Sequence, residues 1–162
     1  MIQQDYILRM IEQLARVLEK ILFNKEAKYY HEAFVDIDRA FSCIVGLDHN
    51  LIKTLSSGDI IRLLEFSSDK ETANAKCLIT AKLLKESADL KYLVSKKDSE
   101  ITTEYLKALD LFLESILSGQ NKDIKMNDYY QDVRGIISIL EDYEIPENIK
   151  IKLQKFDELT NK

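Results

Sequence analysis

One proline and four glycines are all that punctuate 162 residues, and no other feature narrows the fold as much. Short antiparallel strands need turn residues at both ends, and this chain has too few of them for a β fold. Leu, Lys, Glu and Ala, all strong helix formers, recur throughout, so local propensity favours helix. With 46% apolar and 31% charged residues, there is enough to bury a core and enough to hydrate a surface. The length suits one domain with a helical core of its own. The expectation is a single all-α domain over residues 1–162, built of antiparallel helical hairpins, with roughly six to eight helices.

The net charge is −5 and neither half of the chain is basic, which removes the electrostatic footprint that nucleic-acid binding leaves. Every apolar run meets a charge before the roughly 20 residues that cross a bilayer. The start, Met1-Ile-Gln-Gln-Asp-Tyr-Ile-Leu-Arg-Met10, lacks the basic head and small-residue cleavage site of an export signal. Neither nucleic acid nor a membrane is an expected partner. Cys43 and Cys77 sit among apolar neighbours without metal or redox spacing, so both read as free, buried thiols in a reducing compartment, the cytoplasm.

Periodicity divides the chain. Tyr6, Met10, Leu14, Val17, Leu18, Ile21 and Leu22 follow a helical spacing over residues 3–23, and Ile7 and Ile11 widen the stripe beyond the roughly 100° face of a surface helix. Two neighbours, or one neighbour and a second chain, are needed to cover it, so this reads as a central core helix or a self-association face. A second helix over residues 26–45 turns Tyr30, Ala33, Phe34, Ile37, Ala40, Phe41 and Ile44 inward and closes at Gly46 in the left-handed conformation. Asp48 and the Ser56-Ser-Gly-Asp59 cluster are set to start two short helices within residues 47–66 by capping free backbone N–H groups.

Ser68-Asp-Lys-Glu71 fits a capping box that opens a long helix to about Ser95, with Cys77, Leu78, Ala81, Leu84, Ala88 and Tyr92 inward, broken by Lys96-Lys-Asp-Ser99. Further helices are read over residues 100–117, stopped by Gly119, and over residues 128–142 after a polar loop reaching Asn127. Pro146 is read in the first turn of the last helix, where its missing N–H costs nothing. Ile149, Ile151, Leu153, Phe156 and Leu159 are that helix's apolar residues, and Thr160-Asn-Lys162 frays.

Tyr30-x2-Ala33-x3-Ile37-x2-Ala40 returns 75 residues later as Tyr105-x2-Ala108-x3-Phe112-x2-Ser115. Phe34 and Phe41 are matched by Leu109 and Ile116, so both helices present aromatic, small, large and small residues in one order. That order resembles the second helix of a tetratricopeptide repeat. The chain departs from the repeat pattern in lacking the closing proline and any alignment of first helices at a period of about 34 residues, so a repeat here is degenerate. The opening Met1 to Leu14, with Lys25-Glu-Ala-Lys-Tyr-Tyr30 and Leu140-Glu-Asp-Tyr-Glu-Ile-Pro146, resembles a family of short, uncharacterised helical proteins of clostridia-like Gram-positive bacteria. That resemblance implies a tetratricopeptide-like helical array with no assigned activity and no functional residues to carry over.

No constellation carries a nameable chemistry. Glu26 and His31 lie on different helical faces, and His31-Glu32 and Asp48-His49 are adjacent pairs that point apart. Neither histidine completes the Glu-x-x-His ligation of a bundle metal centre, and each reads as solvated or capping. Asp36 and Asp38, beside Arg39, fall on the outward side of the second helix, whereas acid–base catalysis needs carboxylates converging in a pocket. No Gly-x-Ser-x-Gly elbow and no Gly-rich phosphate loop occurs. No catalytic, cofactor-binding or metal-ligating residue, no cofactor and no enzymatic activity are therefore expected.

Interaction remains as the reading. Tyr29-Tyr30 and Tyr129-Tyr130 cannot each bury both members, leaving one tyrosine of each pair at the surface, where interfaces favour it. Arg16, Lys20 and Asn24 recur at every fourth position of the first helix, ordinarily a solvated stripe and, in a tetratricopeptide-like array, a clamp for a peptide carboxylate. Lys150, Lys152 and Lys155 are balanced by Glu147, Asp157 and Glu158 and make no membrane patch. The expected partner is another protein or peptide, or a second copy of the chain. The alternative is a small-ligand binder or enzyme whose pocket is assembled from scattered residues.

Overall fold

The computed structural model describes residues 2–95, 99–119 and 124–161. Among the described residues there are eight α-helices and no strand: α1 (Ile2–Glu26), α2 (Tyr30–Ala40), α3 (His49–Thr54), α4 (Ser57–Ser67), α5 (Lys70–Val94), α6 (Ser99–Leu117), α7 (Asn127–Ile139) and α8 (Glu147–Thr160). The all-α expectation holds. The predicted break at Lys96–Asp98, the middle of the loop leading to Asn127 and the terminal Lys162 lie outside the described residues.

The caps explain most of the boundaries. Asp48 accepts from the Asn50 N–H to start α3, and Ser56 accepts from the Asp59 N–H to start α4, as sequence indicates. Gly46 stands at φ 84° and ends a π-helical turn, Phe41–Val45, that continues α2; its N–H and that of Leu47 both donate to the Phe41 carbonyl, at 3.0 and 3.3 Å. Gly119 is also left-handed, at φ 71°. The capping box is displaced by one residue: Asp69, not Ser68, accepts from the Thr72 N–H at 2.8 Å and starts α5. That backbone bond, foremost, holds the Asp69 carboxyl below its usual range.

α2 begins at Tyr30 rather than Glu26, because Lys28 adopts φ 63° and closes α1. Pro146 is the residue before α8 and not within its first turn, and α7 ends at Ile139, short of Asp142.

α5 is the hub, a place expected of α1. It buries residues all round, Ala73, Ala75, Leu78, Ile79, Leu83, Leu84, Ala88 and Leu90 among them, and its small residues admit neighbours closely. α6 runs antiparallel to it: Lys91 pairs with Glu104, Asp89 with Tyr105, and Asn74 with Ser115. α1 runs parallel to it, since Gln3 meets Asp69 near one end and Lys25 meets Glu86 toward the other. α2 packs on both α1 and α5, and α7 and α8 cover α6. The echoed faces lie in equivalent places, on the second helix of the α1/α2 and α5/α6 pairs, with Ala33, Ile37, Ala40, Phe41, Tyr105, Ala108, Phe112 and Ser115 all buried.

Candidate functional site: a groove between α1, α5 and α7

α1 carries two apolar stripes. Ile7, Met10, Leu14 and Ile21 are buried in the core. One residue further on, Leu8, Ile11, Ala15 and Leu18 repeat at alternating spacings of three and four, with Leu22 next in register; Leu8 and Leu22 are 44% and 54% exposed. The first stripe is buried where α1 packs on α2 and α5, and the second, with Leu14, forms the wall of a groove of about 650 Å³. Tyr6 and Leu22, predicted inward, are exposed, as is Tyr92 of α5.

The opposite wall is mixed, with Ile124 and Tyr129 set among polar residues. Lys125 precedes α7, which contributes Asp128, Gln131, Asp132 and Gly135, while Lys82 and Lys85 of α5 form the floor. A Cβ added at Gly135 meets nothing within 4 Å, so the missing side chain leaves that wall open. Glycine costs about 1 kcal/mol against alanine inside a helix, and nothing in the packing of this site requires it.

The floor lysines are already neutralised. Lys82 Nζ lies 2.9 Å from both Asp132 oxygens and 3.8 Å from Glu86, and Lys85 Nζ lies 2.8 Å from Asp89 and 3.7 Å from Asp132. Burial opposes the Lys85 ammonium, but Asp89, Asp132 and Glu86 together raise it above its usual value. Burial, with Asp132 and Asp128 adding to it, pushes the Tyr129 phenol up to about 12. A groove with these internal pairs is no trap for a free anion; its distinctive surface is the apolar wall.

A second polar cluster lies between α2, α3, α5 and α6. His49, read as solvated or capping, is 5% exposed and stacks on Phe41 with ring centroids 4.3 Å apart. Its Nδ1 lies 2.5 Å from Asp38 Oδ1, and its Nε2 faces Glu104 Oε1 at 3.6 Å, just beyond a direct hydrogen bond. Burial opposes ionisation of Glu104, yet polar contacts from His49, Lys91 and Ser87 outweigh it and hold the carboxyl low. Lys107 donates to the Ile52 and Lys53 carbonyls at 3.0 and 2.9 Å, capping the C-terminus of α3. These bonds fasten a six-residue helix that is too short to hold itself.

The remaining residues singled out in the sequence fall as follows. His31 is exposed, as read. Asp36 is buried and not outward; it accepts from Asn24 at 2.7 Å and lies 3.2 Å from Lys20. Of the Arg16, Lys20 and Asn24 stripe, Asn24 is buried against Asp36, whereas the Arg16 and Lys20 side chains are 74% and 60% exposed, as in a solvated stripe. Cys43 is exposed, against expectation, and Cys77 is buried. Tyr29 is exposed and Tyr129 buried. Lys152 pairs with Asp110 and Glu114 of α6 at 2.5 and 2.7 Å, not with the acids of its own helix.

Sequence reasoning missed both the groove and the His49 cluster. The groove was legible only as the excess width of the α1 stripe. Among the described residues no helix is long and apolar enough to cross a membrane and no group of His, Cys, Asp and Glu is arranged to hold a metal ion.

Residues 1–136 match the model of a family of unknown function, DUF6483. No curated protein and no solved structure matches the chain.

Proposed function

The chain belongs to that family of unknown function, so its role has to be argued from its own geometry, and we propose that it is a protein-interaction module whose groove between α1, α5 and α7 holds an amphipathic helix of a partner protein. One observation carries the reading: Leu8, Ile11, Ala15 and Leu18 line the groove at heptad spacing, with Leu8 and Ala15 exposed and Ile11 and Leu18 half-buried. Residues spaced by three and four on one helix are what another helix packs against, and helix-in-groove recognition uses the same anchors. Gly135 opposite supports it, since a glycine there widens the slot that an incoming backbone needs.

The array has a tetratricopeptide-like character in this reading, supported by the echoed packing faces of α2 and α6. The role is binding and not catalysis. A reducing, cytoplasmic setting is consistent with Cys43 and Cys77 both being unpaired.

The test is fluorescence anisotropy with a labelled synthetic peptide, an 18-residue helix bearing leucines at heptad spacing. Saturable binding to the wild type is expected, weakened at least about tenfold by Gly135→Phe and by Leu18→Glu, with both variants retaining their helical circular dichroism; a substitution at a hot spot in such a groove typically costs 2 kcal/mol or more, on the order of thirtyfold. Binding that both folded variants leave unchanged would remove the groove from consideration.

A further inference from the structure

Three buried side-chain atoms from α3, α5 and α6 make no hydrogen bond of normal length among the described residues: His49 Nε2, Ser87 Oγ and Glu104 Oε1. Their residues are 5%, 0% and 6% exposed. A folded protein rarely leaves one such atom unpaired, and three around one carboxyl call for a common partner.

The donors follow from the partners already in place. Asp38 Oδ1 lies 2.5 Å from His49 Nδ1, and a carboxylate oxygen only accepts, so Nδ1 carries the proton. In the neutral ring Nε2 is then a lone pair. Glu104 Oε1, 3.6 Å from it, is an acceptor as well, because the Lys91 ammonium donates to the other oxygen at 2.8 Å and keeps the carboxyl ionised. Two acceptors therefore face each other, and neither can satisfy the other.

We infer that a buried water molecule joins the three helices here, donating one hydrogen to His49 Nε2 and the other to Glu104 Oε1 while accepting from the Ser87 hydroxyl. Three bonds are what an interior water ordinarily makes, and each unpaired atom gains one. Acceptors 3.6 Å apart are both reached by an oxygen seated off the line between them, about 2.8 Å from each. Ser87 is in place to donate, since it contacts the same Glu104 carboxyl. A cleft of about 150 Å³, lined by Lys91, Thr103, Glu104 and Lys107 among others, opens beside Glu104 and gives solvent a route to it; one water needs only about 10–15 Å³ of such space. The Lys91 ammonium beside Glu104 disfavours a metal ion in the same place and does not disfavour a neutral molecule. The water then closes a chain of bonds from Asp38 of α2 through His49 of α3 and Glu104 of α6 to Lys91 of α5, so the fastening of α3 includes a solvent molecule.

The experiment is nuclear magnetic resonance of the nitrogen-15-labelled chain at neutral pH, beside the variant Ser87→Ala. Long-range histidine correlations are expected to place one proton on Nδ1 of His49 and none on Nε2, and the ring protons of His49 are expected to cross-relax with a long-lived water. Ser87→Ala tests the third bond by the sign of its effect: deleting a hydroxyl without a partner stabilises a fold, whereas deleting one that holds the water destabilises it. A Tm lower by about 2–4 °C is expected, with weaker cross-relaxation at the His49 ring. Protons on both ring nitrogens, which would pair His49 with Glu104 directly, or a proton on Nε2 alone would overturn the inference. So would a wild type whose His49 ring shows no water contact, or a Ser87→Ala variant that melts higher than the wild type.

Discussion

At the scale of single residues, neighbours on α1 have opposite duties. Ile7 is 6% exposed and Leu8 44%, although both are aliphatic and adjacent. Ile7→Glu buries an unpaired charge and is expected to cost about 3 kcal/mol or more, whereas Leu8→Glu is expected to stay within about 0.5 kcal/mol; urea denaturation of the two checks this. Gly135→Ala gains a helix former in open space and is expected to raise stability by about 1 kcal/mol, read as an upward shift in Tm. Cys43 should react readily with a maleimide in the native protein while Cys77, whose thiol burial pushes up, reacts only on unfolding. Sequence alone could separate none of these pairs. Cys43 and Cys77 have similar neighbours, yet Cys43 stands exposed in the π-helical turn while Cys77 is buried in α5.

At the scale of elements, caps and periods were legible and long-range bonds were not. Asp48, Ser56, Gly46 and Gly119 act where sequence placed them, because capping is decided by neighbours in the chain. The fastening of α3 was invisible, since its partners Glu104 and Lys107 come from α6, more than fifty residues away. Its pH dependence follows from Glu104. The carboxyl is held below its ordinary value of 4.5 in the fold, so the stability it contributes is complete above that value and is lost as pH falls through the folded value. Wild type should therefore lose stability between about pH 5 and 3 more steeply than Glu104→Gln, in denaturation curves recorded across that range. At neutral pH the variant should be the less stable, because it weakens the bond to Lys91.

At the scale of the molecule, the sequence correctly implied an all-α helical array but pointed to the wrong central helix. α1 has the broadest apolar stripe, and a broad stripe reads as a core helix. α5 instead sits at the centre, and its low amphipathicity, with apolar and small residues distributed around the whole helix, is the signature of burial on every side. The surplus width of α1 is left to the groove. The wide stripe implied two coverings, one supplied by the fold through Ile7, Met10 and Leu14 and one left open along Leu8, Ile11, Ala15 and Leu18.

The open face of α1 as a binding surface is tested by amide chemical-shift mapping of the isotopically labelled chain with the 18-residue leucine-stripe peptide. Shifts are expected to saturate along Leu8, Ile11, Ala15 and Leu18 of α1 and around Gly135 of α7, with the α3 amides near His49 unmoved. Shifts confined to the His49 and Lys107 side of the molecule, or none at saturating peptide, would contradict it.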